Sequence, residues 1–279
     1  MIDKLFRKLP IFKGKQRLAR FLLSSSITNK KDFWVKGKKD CEYLIPNLIE
    51  NIGFEIFING IFEEETSNFF VDRIRQNGVF LDLGANIGTV SIPLIKERPD
   101  IKIVCVEAAP WIFSYLQKNL ARNNMHNVIA VNKVLFYSDN EIVNFYSPND
   151  QFGKGSLSPV FTDKVVKVKS IKIDSLLTDL KIENVDLIKI DVEGYEYHVF
   201  KGATELLSRH DAPDILFEFV DWAEENAKGI EIGDSQRILK DMGYKIFYFK
   251  EKGELMEVSD ILLQGFFMLF ATKKQSRDK

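Results

Sequence analysis

From Val79 onward, short apolar runs alternate with stretches of helical periodicity, and that alternation restricts the chain to an α/β architecture. Residues 79–83, 101–106, 127–135, 185–190 and 215–220 read as strands, and 88–96, 111–123 and 196–208 as helices. Residues 141–146 and 165–173 read as two further strands, the first set off by the turn Ser138-Asp139-Asn140. Crossovers of this kind return the chain in one direction and so build a mostly parallel sheet wrapped by helices. The closing helix, 234–242, precedes two aromatic strands, 244–249 and 266–271. Their connection of about 16 residues lacks a crossover helix, so an antiparallel pair at the sheet edge is expected.

Before this region, 63–77 reads as a helix with Glu63, Glu64 and Glu65 in its first turn, where the helix dipole favours them. Residues 43–62 read as short strands with a turn at Asn59-Gly60. The first 40 residues hold 12 Lys/Arg against 3 Asp/Glu, so the overall charge of −1 conceals a strongly basic arm. Within it Ile2, Leu5, Phe6 and Leu9, and again Leu18, Phe21 and Leu22, recur at helical spacing beside Lys4, Arg7, Lys8, Arg17 and Arg20. Such an arm can pack on its own domain, lie on an anionic membrane, attract an acidic substrate, or dock on a neighbouring subunit of a homo-oligomer. No stacking motif or reader module suggests nucleic acid, and none is expected as a partner. Three units result: an extension over 1–62, the alternating domain over 63–272 and a polar tail over 273–279.

Composition narrows the setting. A 45% hydrophobic content with 23 Phe supplies a sizeable core and excludes a disordered chain. Two cysteines and three histidines exclude a disulfide scaffold and a Cys/His zinc cluster. No apolar run reaches the roughly 18–20 residues of a membrane span, and no signal-peptide core is present. A cytoplasmic protein is expected, with membrane association open to the arm.

The segment V-F-L-D-L-G-A-N-I-G-T-V-S, residues 79–91, runs a strand into a Gly-rich turn and then a helix, which aims backbone N–H groups at a ligand. A dinucleotide fingerprint wants Gly at 84, 86 and 89, but the chain has Gly84, Asn86 and Thr89. Asp82, at the strand's end, would also repel a pyrophosphate. It suits a ligand that carries an amino group and no phosphate. The second strand ends at Glu107, near where an acid accepts ribose hydroxyls in nucleotide folds. S-adenosylmethionine, with a sulfonium, an α-amino group and a ribose, meets both carboxylates. Either acid alone could cap a helix; both together, with Gly84 and Gly88 at the turn, favour a cofactor site.

The segment V-D-L-I-K-I-D-V-E-G-Y-E, residues 185–196, delivers Asp191 and Glu193 to the same sheet edge. Glu193 could equally cap the helix that follows. With D-L-G-A-N-I-G, V-E-A-A-P, G-K-G-S-L (153–157), I-K-I-D-S-L (171–176), I-K-I-D-V-E-G-Y-E (188–196), G-A (202–203) and F-E-F (217–219) in this order, the chain resembles the FkbM-type methyltransferase family from about 63 to 219. The resemblance implies a class I, Rossmann-like S-adenosylmethionine-dependent fold: a seven-stranded, mostly parallel sheet with an antiparallel last strand, here with an N-terminal helical and β extension. It also implies an O-methyltransferase acting on a hydroxyl, often of a sugar or another small molecule. The basic arm, which could bring the enzyme to an anionic surface, adds the expectation of a glycan or lipid-linked saccharide as acceptor. Two departures stand out. The family's E-P is here Glu107-Ala108-Ala109-Pro110, and its A-L-S-D-like segment is L-F-Y-S-D, 135–139.

The expected cofactor residues are Asp82, Gly84, Ala85, Asn86, Gly88, Glu107, Ala108, Ser138, Asp139 and Asp191. Phe136 or Tyr137 would flank the adenine, and Ser138 or Asp139 would bond it. Candidates for removing the acceptor's proton are Asp191, then Glu218 and Glu193, with His198 next. His126 and His210 read as loop or cap residues. A carboxylate pair can hold a divalent metal, but no clear third ligand is legible and none is expected. The rival classes are an NAD-dependent oxidoreductase and a non-catalytic module that keeps the cofactor fold.

Overall fold

Strand β3 (Val79–Leu83) sits inside a sheet of eight strands, with β4 (Lys102–Val106) and then β5 (Val128–Val131) on one side. On its other side lie β9 (Leu187–Ile190), β10 (Asp214–Val220), β13 (Phe266–Thr272), β11 (Lys245–Phe249) and the short edge strand β12 (Leu255–Glu257). This is a computed structural model, and it describes residues 6–7, 9, 12, 14–24, 27, 30–250 and 253–274. Strands β5, β4, β3, β9 and β10 run parallel, whereas β13 inserts antiparallel between β10 and β11. The seven expected strands and their reversed last member are therefore present, with β12 added at the edge.

Alternation along each strand feeds two cores. Phe80, Ile103, Cys105, Leu187 and Leu216 face one layer; Leu81, Leu83, Val104, Ile188, Ile190 and Phe217 face the other. The first layer contains α4 (Ser91–Glu97) and α5 (Pro110–Arg122), together with α3 (Glu64–Arg73). It also takes in the extension, because Tyr43, Ile45, Leu48 and Phe54 belong to the same buried cluster as Phe80. Asn119 and Asn123 of α5 accept from the backbone N–H of Leu44 and Glu42, at 2.6 and 2.9 Å, which fixes the extension's strand on the domain.

Four expectations change. Residues 43–62 are not a run of strands: β1 (Lys31–Lys36) pairs with β2 (Glu42–Asn47), and α2 (Asn51–Asn59) follows. The Asn47 side chain accepts from the Ile49 and Glu50 N–H, and the Glu50 carboxylate accepts from the Asn51 N–H to start the helix. Asn59-Gly60 is its stop, with Gly60 at φ 81 and its N–H on the Ile56 carbonyl. Phe54, Ile56, Phe57 and Ile58 are all buried and only Asn51, Ile52 and Glu55 reach towards solvent, so the helical period is weak.

Residues 127–135 divide at Asn132, whose amide donates to the Glu107 and Ala108 carbonyls at 2.8 and 2.9 Å. The remainder, β6 (Val134–Leu135), joins β8 (Val165–Ile171) and β7 (Ile142–Tyr146) in a separate three-stranded sheet. Residues 196–208 form two helices, α7 (Glu196–Lys201) and α8 (Thr204–Ser208), because Gly202 packs against Phe136: a Cβ there would lie 2.2 Å from the Phe136 carbonyl oxygen. Helices α6 (Ile173–Asp179) and α9 (Asp221–Asn226) are additional; α10 (Asp234–Asp241) lies where a helix was expected.

In the basic arm, α1 (Lys15–Leu22) buries Lys15 and Ala19 and leaves Leu18, Phe21 and Leu22 exposed. The expected periodicity at Ile2 and Leu5 lies outside the described residues, as do 275–279 of the tail. Among the described residues no helix is long and apolar enough to cross a membrane.

Candidate active site

From β3 the chain moves outward to β4, and from β9 it moves outward to β10 in the opposite direction. The loops leaving β3 and β9 therefore part and open a crevice at the strands' C-terminal ends, where open α/β sheets bind ligands. Asp82, Gly84, Ala85, Asn86, Glu107, Ala108, Asp191 and Glu193 line this cleft, so most of the expected cofactor residues meet there.

The loop after β3 is held by geometry that few residues permit. Gly84 adopts φ 79, and a Cβ on it would sit 1.9 Å from the Asp191 carbonyl oxygen. Both Gly84 and Ala85 N–H groups donate to the Val106 carbonyl at 3.0 Å. Asn86 follows at φ 51, a left-handed conformation that Asn tolerates better than most residues. Gly88 does not line the cleft; its missing side chain leaves room for Ile92 and Leu116.

Asp82 is 1% exposed, and its Oδ2 accepts from Ser91 Oγ at 2.5 Å. Among the described residues its Oδ1 is buried with no hydrogen-bond partner. An orphaned carboxylate oxygen at a cleft wall is costly unless a ligand donates to it. Glu107 accepts from the Asn86 N–H at 2.9 Å and the Ala109 N–H at 2.8 Å, which fixes the carboxylate's plane. Burial nevertheless pushes Glu107 up to about 7, against those two donors. Pro110, displaced from its familial place beside the glutamate, opens α5 at a position where its missing N–H costs nothing.

Lys189, Glu63 and Lys133 line the cleft although the sequence reading did not assign them to the site. Lys189 is buried in the middle of the sheet, with Nζ 3.1 Å from Asp191 Oδ2 and 3.5 Å from the Gly84 carbonyl. Burial works against its charge, but Asp191, Asp82 and Glu63 more than offset this and shift the lysine upward. Glu63, immediately before α3, lines the same cleft and is pushed up to about 7 by burial. Lys189 was visible as a cation within an apolar strand; Glu63 carried no local signal.

Beyond Asp191 the chain turns at Glu193, φ 53, and the carboxylates of Asp191, Glu193 and Glu218 offer oxygens within 4.8 Å of one another. Such spacing admits a shared proton or a divalent ion. Burial, then Asp191, pushes Glu193 up to about 8 and Glu218 well above the ordinary carboxyl range. Glu196 behind them is also pushed up to about 8, and it accepts from the Val192 N–H at 2.9 Å.

Five further expected residues lie elsewhere. Asp139 accepts from the Lys172 N–H at 2.8 Å and from Ser175 Oγ at 2.7 Å, tying the small sheet to α6. The Ser138 carbonyl accepts from Ser170 Oγ at 2.8 Å. Lys133 and Leu135, not Ser138 or Asp139, line that side of the cleft. His198 bonds the Lys228 carbonyl at 3.0 Å and packs among Phe136, Tyr137, Tyr195 and Tyr197. Phe136 and Tyr137 are therefore companions of that histidine.

Loop 147–164 covers the cleft. Phe152, Gly153 and Gly155 line it, and Asn86 Nδ2 donates to the Phe152 carbonyl at 2.7 Å. One end of the loop is pinned where Trp111 Nε1 donates to Ser147 Oγ at 2.8 Å, the other where Ser158 Oγ meets Tyr195 Oη at 2.8 Å and the Asn226 carbonyl at 2.7 Å.

The arrangement fits S-adenosylmethionine. Asp82 offers an unfilled acceptor to a cationic or hydroxyl donor, and Glu107 retains lone pairs for a diol. Ile112, Val106 and Leu135 supply apolar wall. A pyrophosphate would instead face Asp82, Glu107, Glu63 and Asp191 across a low-dielectric cleft.

Comparison with known proteins agrees with this chemistry. Residues 82–246 match the family model described as the Methyltransferase FkbM domain. Methyltransferase sdnD of Sordaria araneosa is 28% identical over 166 residues, covering 48% of this chain and 64% of that protein. Hexuronic acid methyltransferase AglP of Haloferax volcanii is 27% identical over 145 residues, covering 52% of this chain and 58% of that protein. The chain thus spans about six tenths of the length of these curated relatives. Among solved structures, a TehB-like SAM-dependent methyltransferase from Corynebacterium glutamicum superposes with a TM-score of 0.46 at 12% identity, covering 79% of this chain and 94% of that one.

Proposed function

The chain belongs to the FkbM methyltransferase domain family, and from that premise we propose that it is an S-adenosylmethionine-dependent O-methyltransferase acting on a hydroxyl of a sugar, glycan or lipid-linked saccharide. The observation that carries the reading is the orphaned Asp82 Oδ1, buried at the wall of a cleft that also holds Glu107. The cofactor, when bound, supplies an activated methyl on a sulfonium. Asp82, beside the turn 84–86, would hold its amino-acid end, and Glu107 would accept from its ribose. Positioning then supplies most of the rate enhancement, because displacement at a methyl needs alignment more than bond polarisation. Phe152 and loop 147–164 exclude water, which would otherwise compete as an acceptor. The carboxylates of Asp191, Glu193 and Glu218 face the acceptor and take its proton.

The saccharide reading draws on the hexuronic acid named for AglP and on the polar rim of carboxylates around the cleft. Exposed Leu18, Phe21 and Leu22 beside Arg17 extend the reading to an anionic membrane surface, where a lipid-linked saccharide would be held.

Calorimetry with S-adenosylmethionine, S-adenosylhomocysteine and NAD tests the core claim. The first two should bind and NAD should not, and Asp82→Ala and Glu107→Ala should each weaken binding at least tenfold. Tight NAD binding, or unchanged affinity in both folded variants, would overturn it.

A further inference from the structure

We propose that Trp222, braced edge to face by Phe161, forms a stacking surface for the pyranose ring of the acceptor beside the Glu193-Gly194 turn, an inference that rests on the saccharide reading above. The two rings meet edge to face with centroids 5.6 Å apart, one from α9 and the other from loop 147–164. Trp222 is 41% exposed, and Val160 beside Phe161 is exposed as well. A large aromatic ring is left in water here although α9 buries Ala223 and Glu224.

Its location sets this pair apart from the scattered apolar residues normal on any surface. Trp222 follows directly from β10, the strand that carries Glu218. Its neighbour Ala223 abuts the Glu193-Gly194 turn so closely that a Cβ on Gly194 would lie 2.5 Å from the Ala223 carbonyl carbon. Phe161 is brought to the same place because Ser158, three residues earlier, is bonded to the Asn226 carbonyl of α9 and to Tyr195 Oη. Between platform and carboxylates stands Lys154, with Nζ 5.1 Å from the Phe161 ring centre and within electrostatic reach of Glu193. Glu193 thus neighbours Lys154, Lys154 neighbours Phe161, and Phe161 neighbours Trp222.

That sequence of groups matches the two chemistries of a sugar. A pyranose ring presents a face of C–H groups, which an aromatic surface covers, and a rim of hydroxyls, which carboxylates and an ammonium bind. Stacking at Trp222 would fix the ring's height and leave one rim hydroxyl to Glu193 and Glu218. A flat aromatic alcohol would use the rings but leave those polar groups unfilled.

The test uses the full chain saturated with S-adenosylhomocysteine and saturation-transfer NMR. The probes are methyl β-glucopyranoside, methyl α-rhamnopyranoside and methyl β-glucuronide, with 2-phenylethanol and 1,2-propanediol as controls. At least one pyranoside should receive saturation on the protons of one ring face. Trp222→Ala should weaken that binding at least tenfold and Trp222→Phe less than threefold, with the affinity for S-adenosylhomocysteine unchanged in both. Pyranoside binding indifferent to Trp222→Ala, or saturation of 2-phenylethanol alone, overturns the platform while the methyltransferase reading stands. Failure of the unaltered chain to bind S-adenosylhomocysteine overturns that reading instead.

Discussion

Gly84 and Asp191, on loops from adjacent strands, approach so closely that the Asp191 carbonyl oxygen occupies the space a Gly84 side chain would need, 1.9 Å from an ideal Cβ. The two cofactor loops are thereby locked against each other at the point where the sheet's connections diverge. Gly84→Ala must both leave the left-handed region and push Asp191 away. We expect a loss of about 2 kcal/mol or more in denaturant unfolding, from the backbone conformation and the contact together. Calorimetry should show S-adenosylmethionine binding weakened more than tenfold. Affinity within twofold of the parent would mean that the loops do not set the site.

Lys189 is buried beneath those loops with Asp191, Asp82 and Glu63 around it, so it is the counter-ion of the cleft. Lys189→Met keeps the volume and removes the charge. Uncompensated buried carboxylates then cost on the order of 3–5 kcal/mol. Glu63, pushed up to about 7, holds a proton at pH 6 and loses it by pH 8. The destabilisation should therefore be larger at pH 8 than at pH 6, as read by urea unfolding at both. An equal loss at the two pH values would remove the electrostatic role.

That Asp82, Glu107 and Asp191 share one cleft was legible because they sit at or near strand ends, where apolar runs meet an acid. Asp82 and Glu107 needed no tertiary information. Asp191 was legible for the same reason at the end of β9. Ser138 and Asp139 were misplaced because 127–135 divides at Asn132, a break made by a side-chain bond to the distant Glu107 and Ala108 carbonyls. Glu63 enters the cleft only by tertiary packing, and α2 lost its periodic signature because six of its nine residues are buried.

Cofactor affinity should rise with pH. Burial pushes Glu107 up to about 7, so below that value it holds a proton that a ribose-binding carboxylate must release. Affinity should gain towards tenfold per unit well below pH 7 and level off above it. The folded apo chain keeps this proton where the unfolded chain, at the ordinary 4.5, has lost it. The group's contribution to apo stability thus falls as pH rises between about 4.5 and 7, and S-adenosylhomocysteine should reverse the fall. Calorimetry at pH 6.5 in buffers of different ionisation enthalpy should detect proton release. Binding without it would exclude Glu107 as the titrating partner.

Leu18, Phe21 and Leu22 are 46%, 79% and 52% exposed on α1, in an arm whose charge is strongly positive. Vesicles with a third of their lipid anionic should co-sediment the protein, and neutral vesicles should not. Phe21→Asp should reduce the bound fraction at least fivefold and leave S-adenosylhomocysteine affinity intact. Equal partition onto both vesicle types, or a concentration-dependent dimer that Phe21→Asp abolishes, would turn the arm from a lipid contact into something else.

On the proposed reaction, proton removal from the acceptor would be shared unequally among the three carboxylates. Glu218 is pushed well above the ordinary range and Glu193 up to about 8, so both are held as acids near neutral pH, whereas Asp191 is ion-paired to Lys189 at 3.1 Å. A general base must be ionised to act, so methylation by way of Glu193 or Glu218 should quicken as pH rises through about 8. Asp191→Asn should slow single-turnover methylation of an acceptor identified by mass spectrometry about 100-fold, and Glu218→Gln about tenfold. The Gln variant should also flatten the alkaline rise, since it removes one member of a coupled set. Rates unaltered by both substitutions would leave alignment of the acceptor as the whole of the catalysis, with the carboxylates serving only to bind it.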